Sequence, residues 1–407
     1  MKNTLMKSLL KAKSNQTSLI DDLIDSYLKE VAKTNKKQTE TFVADLLVYV
    51  MQRVEDLDKE QLMALVESKL VHLNYSIDSD TVEQIYTKTV TEASAEVAFA
   101  FAFDQRDVQV IESVNRSLVW LQEDGTANTQ NRVKEVLNRA LEGELSIADI
   151  GSTLREEFKG VVDESEQYFT RVSDHIIRQS QSLGRVYAFQ KAGVEYVQAI
   201  AKIDGKTSLI CRSLHMKLIP IAHLVNQADN ISNAQTIEEK KAVALWQSQP
   251  IFGTLPKEVG MSPYHFGCRT IMRAYFPQKT KVDGKNVNGS YLPEETFKEK
   301  EVLFSHVDRF GYERVVADAT VEHESFSTKP KSKDMIAGLN SLESLALHKH
   351  DPLRTVGFSK DKGLVYVFEG EYVVTVIKAD VNYFMRNAEP KSVQSLSLKK
   401  GESHETV

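Results

Sequence analysis

Two short, turn-rich segments contain both cysteines of this chain, and each cysteine has a histidine close by. The segments read Cys211-x3-His215 and His265-x2-Cys268. Zinc prefers thiolate and imidazole ligands in a tetrahedral shell, often supplied as two close pairs. Pro263 and Gly267 bend the second segment, so that its histidine and cysteine can point the same way. These four residues are therefore candidate ligands of a structural zinc ion.

Two other interpretations of the thiols stay open. Free cysteine is commonly buried as a small hydrophobic side chain, so Cys211 and Cys268 can be structural thiols. They can also form a disulfide or redox pair, although nothing in the sequence indicates a secretory context. Asp204 is an additional oxygen donor near the first pair. Because Gly205 follows it directly, we interpret Asp204 as part of a turn.

The two segments resemble the phage Mu F-like minor head protein family, also called the head morphogenesis family. The residues that match its pattern are Asp204, Thr207, Cys211 and Lys217-Leu-Ile-Pro220 in the first half, and Pro263, His265, Cys268 and Arg269 in the second. The chain departs from the pattern at Ser262, at Thr270 and in the Leu-His-Met stretch before Lys217. Thr270 stands where the family has its final cysteine, so one thiol of the family pattern is missing.

The resemblance extends upstream and covers about residues 125 to 276. It implies a minor structural protein of a phage head, acting in capsid assembly at or near the portal, with DNA packaging or ejection as further roles. The implied partners are the portal protein and the major capsid or scaffolding protein, with packaged DNA as another candidate. The implied location is the virion, in the head interior or at the portal vertex, and the host cytoplasm during assembly.

Composition limits the classes of protein to consider. The 407 residues are 42% hydrophobic and 27% charged, which is typical of globular domains and sufficient for two or three of them. The formal net charge of −6 gives no support for a protein that coats duplex DNA. Two cysteines exclude a disulfide scaffold. We expect no signal peptide and no membrane-spanning helix.

The distribution of proline and of apolar residues predicts an α+β protein. The first proline is Pro220, so the preceding residues are predicted to be mostly helical. A small α+β module carries the motif, and helices followed by an antiparallel β-meander form the C-terminal part. The predicted divisions are a helical region 1–125, the motif module 126–277, a linker 278–292, an α+β domain 293–387 and a poorly ordered tail 388–407.

Several elements are predicted individually. Asp58, Asp80 and Ser146 are expected to cap helices, and Asp124-Gly125 is expected to interrupt one. The predicted helices are 93–108, 128–142, 164–192, 236–246, 293–319 and 333–347. Gly193 should end the helix before it, and a strand should follow over 194–203. The meander is predicted over 355–358, 364–368 and 372–379.

A second candidate site lies just before the first strand of the meander. An RNase needs a general acid or base and a cation for the developing charge on phosphorus. His348, His350 and Arg354 can supply these groups, so a phage-borne RNase or toxin-like effector is the alternative function. The simpler interpretation is a polar loop with cations near a helix C-terminus. Walker A, Gly-x-Ser-x-Gly and His-Glu-x-x-His motifs are absent from the sequence.

Overall fold

The computed structural model describes residues 2–142, 146–247, 249–253, 255–256, 259–276, 281–282, 285–286, 302–317 and 330–396. The fold is α+β, as predicted. The chain forms two compact units, each assembled from several segments: 1–194, 221–245 and 261–269 in the first, and 195–220, 246–260 and 270–407 in the second. Apart from residues 281–282 and 285–286, the predicted linker lies outside the described residues.

The helices account for most of the first unit. In chain order the described helices are α1 Lys2–Met51, α2 Lys59–Leu70, α3 Asp80–Glu96, α4 Gln105–Glu142, α5 Ile147–Lys191, α6 Leu209–Leu214, α7 Ile221–Asn233, α8 Ile237–Val243, α9 Ser332–Asn340 and α10 Val381–Asn387. The first unit contains α1 to α5, α7 and α8. None of the described helices combines the length and the apolar character that a membrane span requires.

The strands all fall in the second unit. They are β1 Tyr196–Ile200, β2 Leu218–Pro220, β3 Ile271–Tyr275, β4 Lys281–Val282, β5 Lys285–Asn286, β6 Val302–Val307, β7 Glu313–Ala317, β8 Ser344–Leu347, β9 Arg354–Ser359, β10 Leu364–Glu369, β11 Tyr372–Lys378 and β12 Gln394–Ser395. A three-stranded sheet has the order β2-β1-β3, and a seven-stranded sheet has the order β12-β8-β9-β10-β11-β7-β6. Strands β4 and β5 pair with each other.

Local capping residues set several helix starts. Asp58 forms a capping box with Gln61 at the start of α2, and Ser146 accepts a hydrogen bond from the backbone of Asp149 at the start of α5. Both caps were predicted. The prediction for Asp80 is wrong, because Asp80 is the first residue of α3 and the carboxylate of Asp78 accepts its backbone N–H at 2.9 Å.

Helix α4 runs without a break through Asp124-Gly125, which corrects the predicted interruption. Gly125 is needed there for packing, because a Cβ atom at this position would overlap with the ring of Phe169 on α5. One turn further along, Thr129 joins a buried hydroxyl cluster with Tyr75 and Ser165, at oxygen–oxygen distances of 3.0 to 3.4 Å. The close approach of α4 and α5 depends on these small residues.

The predicted helix over 93–108 is also wrong. Helix α3 ends at Glu96, and α4 begins only at Gln105. Ala98 has a positive φ of 53°, which stops the helical path. The carboxylate of Asp104 accepts the backbone N–H of Arg106 at 2.9 Å, so it fixes the new helix start. The alternation of phenylalanine and alanine in this stretch gave no indication of the helix end near Ala98 or of the helix start after Asp104.

The second unit confirms the predicted meander as β9, β10 and β11, and adds strands on both sides of it. Alternate side chains of β10 face two separate cores. Leu364, Tyr366 and Phe368 pack with Met335 and Leu339 of α9. Val365 and Val367 pack with residues that include Phe384 of α10. The sheet is therefore covered by a helix on each face.

Two helix predictions in this unit are wrong. Within the part of 293–319 that is described, the chain forms β6 and β7. The helix predicted over 333–347 ends at Asn340. The last residues of the predicted helix form strand β8, which pairs with β9. Within the segment expected to be a poorly ordered tail, β12 pairs with β8 and Ser392 accepts the backbone N–H of Leu347 at 2.8 Å. Residues 397–407 lie outside the described residues.

Replacing Gly125 with alanine should destabilise the protein, because the added methyl group collides with the Phe169 ring. We expect a loss of about 1–3 kcal/mol in the free energy of unfolding, measured by urea denaturation. Gly160→Ala is the matched control. It lies on α5, and a Cβ atom there meets nothing within 4 Å. This control should stabilise the protein by ~0.5–1 kcal/mol. Equal effects of the two substitutions would contradict the packing described.

Candidate functional site

The first half of the motif closes a turn that follows β1. The carboxylate of Asp204 accepts the backbone N–H of Lys206 at 2.9 Å. The Thr207 hydroxyl accepts the backbone N–H of Asp204 at 2.7 Å and donates to the carbonyl of Lys202 at 2.5 Å. Aspartate and threonine three residues apart are thus used to satisfy the backbone of the turn. This agrees with the turn interpretation of Asp204.

Cys211 lies in the first turn of α6, and His215 directly follows the last residue of this helix. Ser208 caps the helix and accepts the backbone N–H of Cys211 at 3.1 Å. His215 is the C-cap residue, and its Nδ1 accepts the backbone N–H of Ala201 at 3.1 Å. Burial lowers the pKa of His215, so the neutral ring with its proton on Nε2 fits this contact. His215 therefore connects α6 to the end of β1.

The second half of the motif is a tight turn. The backbone N–H of Cys268 donates to the carbonyl of His265 at 3.2 Å, and Gly267 has a φ of +70° that favours glycine. The Nδ1 of His265 lies 2.7 Å from the carbonyl oxygen of Phe266. A carbonyl only accepts, so Nδ1 carries the proton and donates it, which leaves the lone pair on Nε2. Histidines that bind metals through Nε2 are commonly oriented by this kind of contact.

Helix α5 positions the second half of the motif. The hydroxyls of Ser262 and Ser182 are 2.8 Å apart. The Phe266 ring lies 4.9 Å from the guanidinium carbon of Arg171 and 5.4 Å from the ring centre of His175. Burial, and then the charges of Lys240 and His265, lower the pKa of His175 to about 4, so its ring is neutral at pH 7. The turn thus rests on a neutral imidazole and a cation that faces an aromatic ring.

Two of the four predicted metal ligands lie together in the first unit, where the ligand atoms of His265 and Cys268 are within 4.8 Å of each other. Cys211 and His215 belong to the second unit. Both thiols are buried, at 4% and 1% exposure, and no disulfide joins them. The Nδ1 of His215 is used by the backbone of Ala201. Arg269 is half-buried and directly follows Cys268.

The chemistry of the His265–Cys268 pair fits zinc. A thiol and an imidazole are soft and borderline donors, and these are the donors that select zinc among the common divalent ions. With the proton on Nδ1, the lone pair of His265 lies on Nε2, the nitrogen that would bind a metal. His265 and Cys268 are therefore the residues of this turn that would hold the ion.

The second candidate site forms a loop stabilised by its own side chains. His348 Nδ1 accepts the backbone N–H groups of His350 and Asp351 at 3.2 and 3.1 Å. Arg354 pairs with the carboxylates of Asp351 and Glu369 at 3.2 and 3.3 Å. Burial lowers the pKa of His348, which favours its neutral form. The cation and one histidine of the predicted nuclease site are thus used within the loop.

Sequence reasoning missed Arg212, which fastens this loop to α6. Its guanidinium donates to the carbonyls of His348 and Lys349 at 2.8 Å and pairs with Glu389 at 3.1 Å. The position of Arg212 beside Cys211 was the only sequence signal for it. Phe266 was also missed as an anchor, although it lies inside the motif between His265 and Gly267.

No protein-family model, no curated protein and no solved structure matches this chain. The assignment of its function therefore depends on the residues and geometry described above.

The purified protein should contain about one zinc ion per chain, because the His265–Cys268 pair matches the donor preferences of zinc. His265→Gln should lower the zinc content strongly, because it removes the imidazole donor of this pair. His215→Gln is the matched control and should keep the metal. Metal analysis after dialysis against a weak chelator measures both. A similar loss in the two variants, or no zinc in the unmodified protein, would contradict the site.

Proposed function

We propose that this chain is a minor structural protein of a phage head, acting in capsid assembly at or near the portal. The observation that supports the proposal is the use of the motif residues. Asp204 and Thr207 close one turn, and His265 and Cys268 belong to a second turn anchored on α5. The polar groups of this motif hydrogen-bond the backbone of turns, so the motif has a structural role. A structural head protein needs binding surfaces held in shape by such turns, and it needs no catalytic centre.

A structural zinc ion belongs to the same proposal. The thiolate of Cys268 and the Nε2 of His265 would hold it, and Cys211 is a further ligand predicted from the sequence. When bound, the ion supplies a rigid cross-link within the motif. The buried positions of both cysteines support a structural role, since a catalytic zinc site requires access for substrate.

The proposed partners are the portal protein and the major capsid or scaffolding protein. DNA packaging or ejection is a further proposed role, with packaged DNA as a contact. The formal net charge of −6 argues against general coating of duplex DNA, so contacts with protein are the main ones proposed. The proposed location is the head interior or portal vertex of the virion, and the host cytoplasm during assembly.

RNase activity remains the alternative function. His348 or His350 would act as the acid or base, and Arg354 would stabilise the phosphate. The geometry gives this alternative less support, because His348 Nδ1 accepts two backbone N–H groups and Arg354 already pairs with two carboxylates. Substrate binding would have to displace these contacts.

The protein should be present in purified procapsids and virions of the phage that encodes it, as identified by mass spectrometry. The tagged full-length chain should also retain the portal protein encoded by the same phage. His265→Gln should weaken this retention if the motif shapes the binding surface, whereas His215→Gln should not. Absence from both particle types, together with no retention of the portal protein, would contradict the proposal.

The full-length protein should not cleave RNA. The comparison is with a double variant, His348→Ala with His350→Ala, assayed on a labelled single-stranded RNA over a range of pH. Equal and negligible cleavage by the two proteins is the expected result, because His348 and Arg354 are engaged within their loop. Cleavage by the unmodified chain that disappears in the double variant would establish the RNase alternative.

A further inference from the structure

Helix α8 packs against the rest of the first unit with a buried lysine side chain. Lys240 is the only residue of Ile237–Val243 whose side chain is buried, and its exposure is 8%. Helices normally pack on their neighbours through an apolar stripe, and lysine is almost never fully buried unless it is paired with an anion. The attachment of α8 therefore uses the side chain least suited to a dry contact.

The hydrogen bonds around Lys240 contain no negative charge. Its Nζ lies 2.5 Å from the hydroxyl oxygen of Ser117 on α4, and that hydroxyl donates to the carbonyl of Ser113 at 2.8 Å. A hydroxyl that donates elsewhere can still accept, so the amine donates to Ser117. In the part of the chain that the structure describes, no carboxylate forms an ion pair with Lys240.

Among the residues that the structure describes, the charged and titratable groups found beside Lys240 are cationic or neutral. Arg116 approaches it from α4, and His175 lies near it on α5. From α7 comes the neutral amide of Gln227, which donates to the carbonyls of Val243 and Ala244 at 3.1 and 3.2 Å. Burial, and then the charge of Arg116, lower the pKa of Lys240 to about 7. The neutral amine is thus the form that suits the docked helix.

We propose that Lys240 is a pH-sensitive latch: α8 docks on α4 with a neutral amine at Lys240, and protonation of that amine releases the helix. The hydrogen bonds of the Thr236–Glu239 capping box are local to the α8 segment. Release uncovers the part of α4 around Ser117. The latch concerns one short segment of the first unit and does not depend on the proposed function.

The direction of the pH dependence follows from the two pKa values of Lys240. The docked amine has a pKa of about 7, and a released, solvated lysine has one of about 10.4. Between these values the docked amine is neutral and the released amine is charged, so release takes up one proton. The opening equilibrium constant therefore rises about tenfold for each unit by which the pH falls. Below about pH 7 both states are protonated, and the dependence levels off.

Hydrogen exchange of the full-length protein tests the latch. Backbone amides of residues 237–243 are followed between about pH 9 and about pH 7, and their rates are corrected for the intrinsic pH dependence of exchange. In the unmodified protein, the corrected opening constant should rise roughly tenfold per unit of falling pH. Lys240→Met should abolish this rise, because methionine is similar in length and has no charge. Lys241→Met, an exposed neighbour on the same helix, should behave like the unmodified protein.

A pH-independent opening constant in the unmodified protein would overturn the proposal, as would a rise that persists in Lys240→Met. Should Lys240→Met fail to fold, a titration of the lysine side-chain amines of the unmodified protein by nitrogen NMR decides the matter. One amine should then titrate near pH 7, about three units below an ordinary lysine. If every lysine titrates near its ordinary pKa, Lys240 is not neutral in the docked helix and the latch does not exist.

Discussion

The hydrogen bond from His265 Nδ1 to the carbonyl of Phe266 is the constraint on which the motif depends. It fixes the tautomer of the ring and leaves the lone pair on Nε2, the nitrogen that would bind a metal together with Cys268. The same turn places the Phe266 ring against Arg171 and His175 of α5. The long helix α5 thus supports the short turn, and the carbonyl of Phe266 in this turn orients the imidazole of His265.

Much of the local structure could be predicted from the sequence, because it depends on residues a few positions apart. Asp58, Ser146 and Gly193 act at helix ends through their own backbone neighbours, as expected. Gly125 shows the limit of this reasoning. A glycine at this position locally favours a helix break, but in the fold it leaves space for the Phe169 ring. Only the packing of α4 on α5 shows that the glycine is used for close packing and not for a break.

The second unit shows the same limit for strands. The meander was predictable because its turns, with positive φ at Gly363 and Gly370, join strands adjacent in sequence. Strands β6 and β7 were wrongly predicted to be helical. The sheet that stabilises them includes a parallel pairing of β7 with β11, which is distant in sequence. The local sequence pattern does not reveal such a pairing. In the site, spacing indicated two Cys/His pairs as candidate metal ligands. It could not show that His215 would be used by the backbone of Ala201.

We propose that the motif builds a structural metal site and not a catalytic one. X-ray absorption at the zinc edge of the purified full-length protein tests it most directly. The expected first shell contains sulfur and at least one imidazole nitrogen, from Cys268 and His265. A protein that binds no zinc, or a zinc shell made only of oxygen and nitrogen atoms, would contradict it.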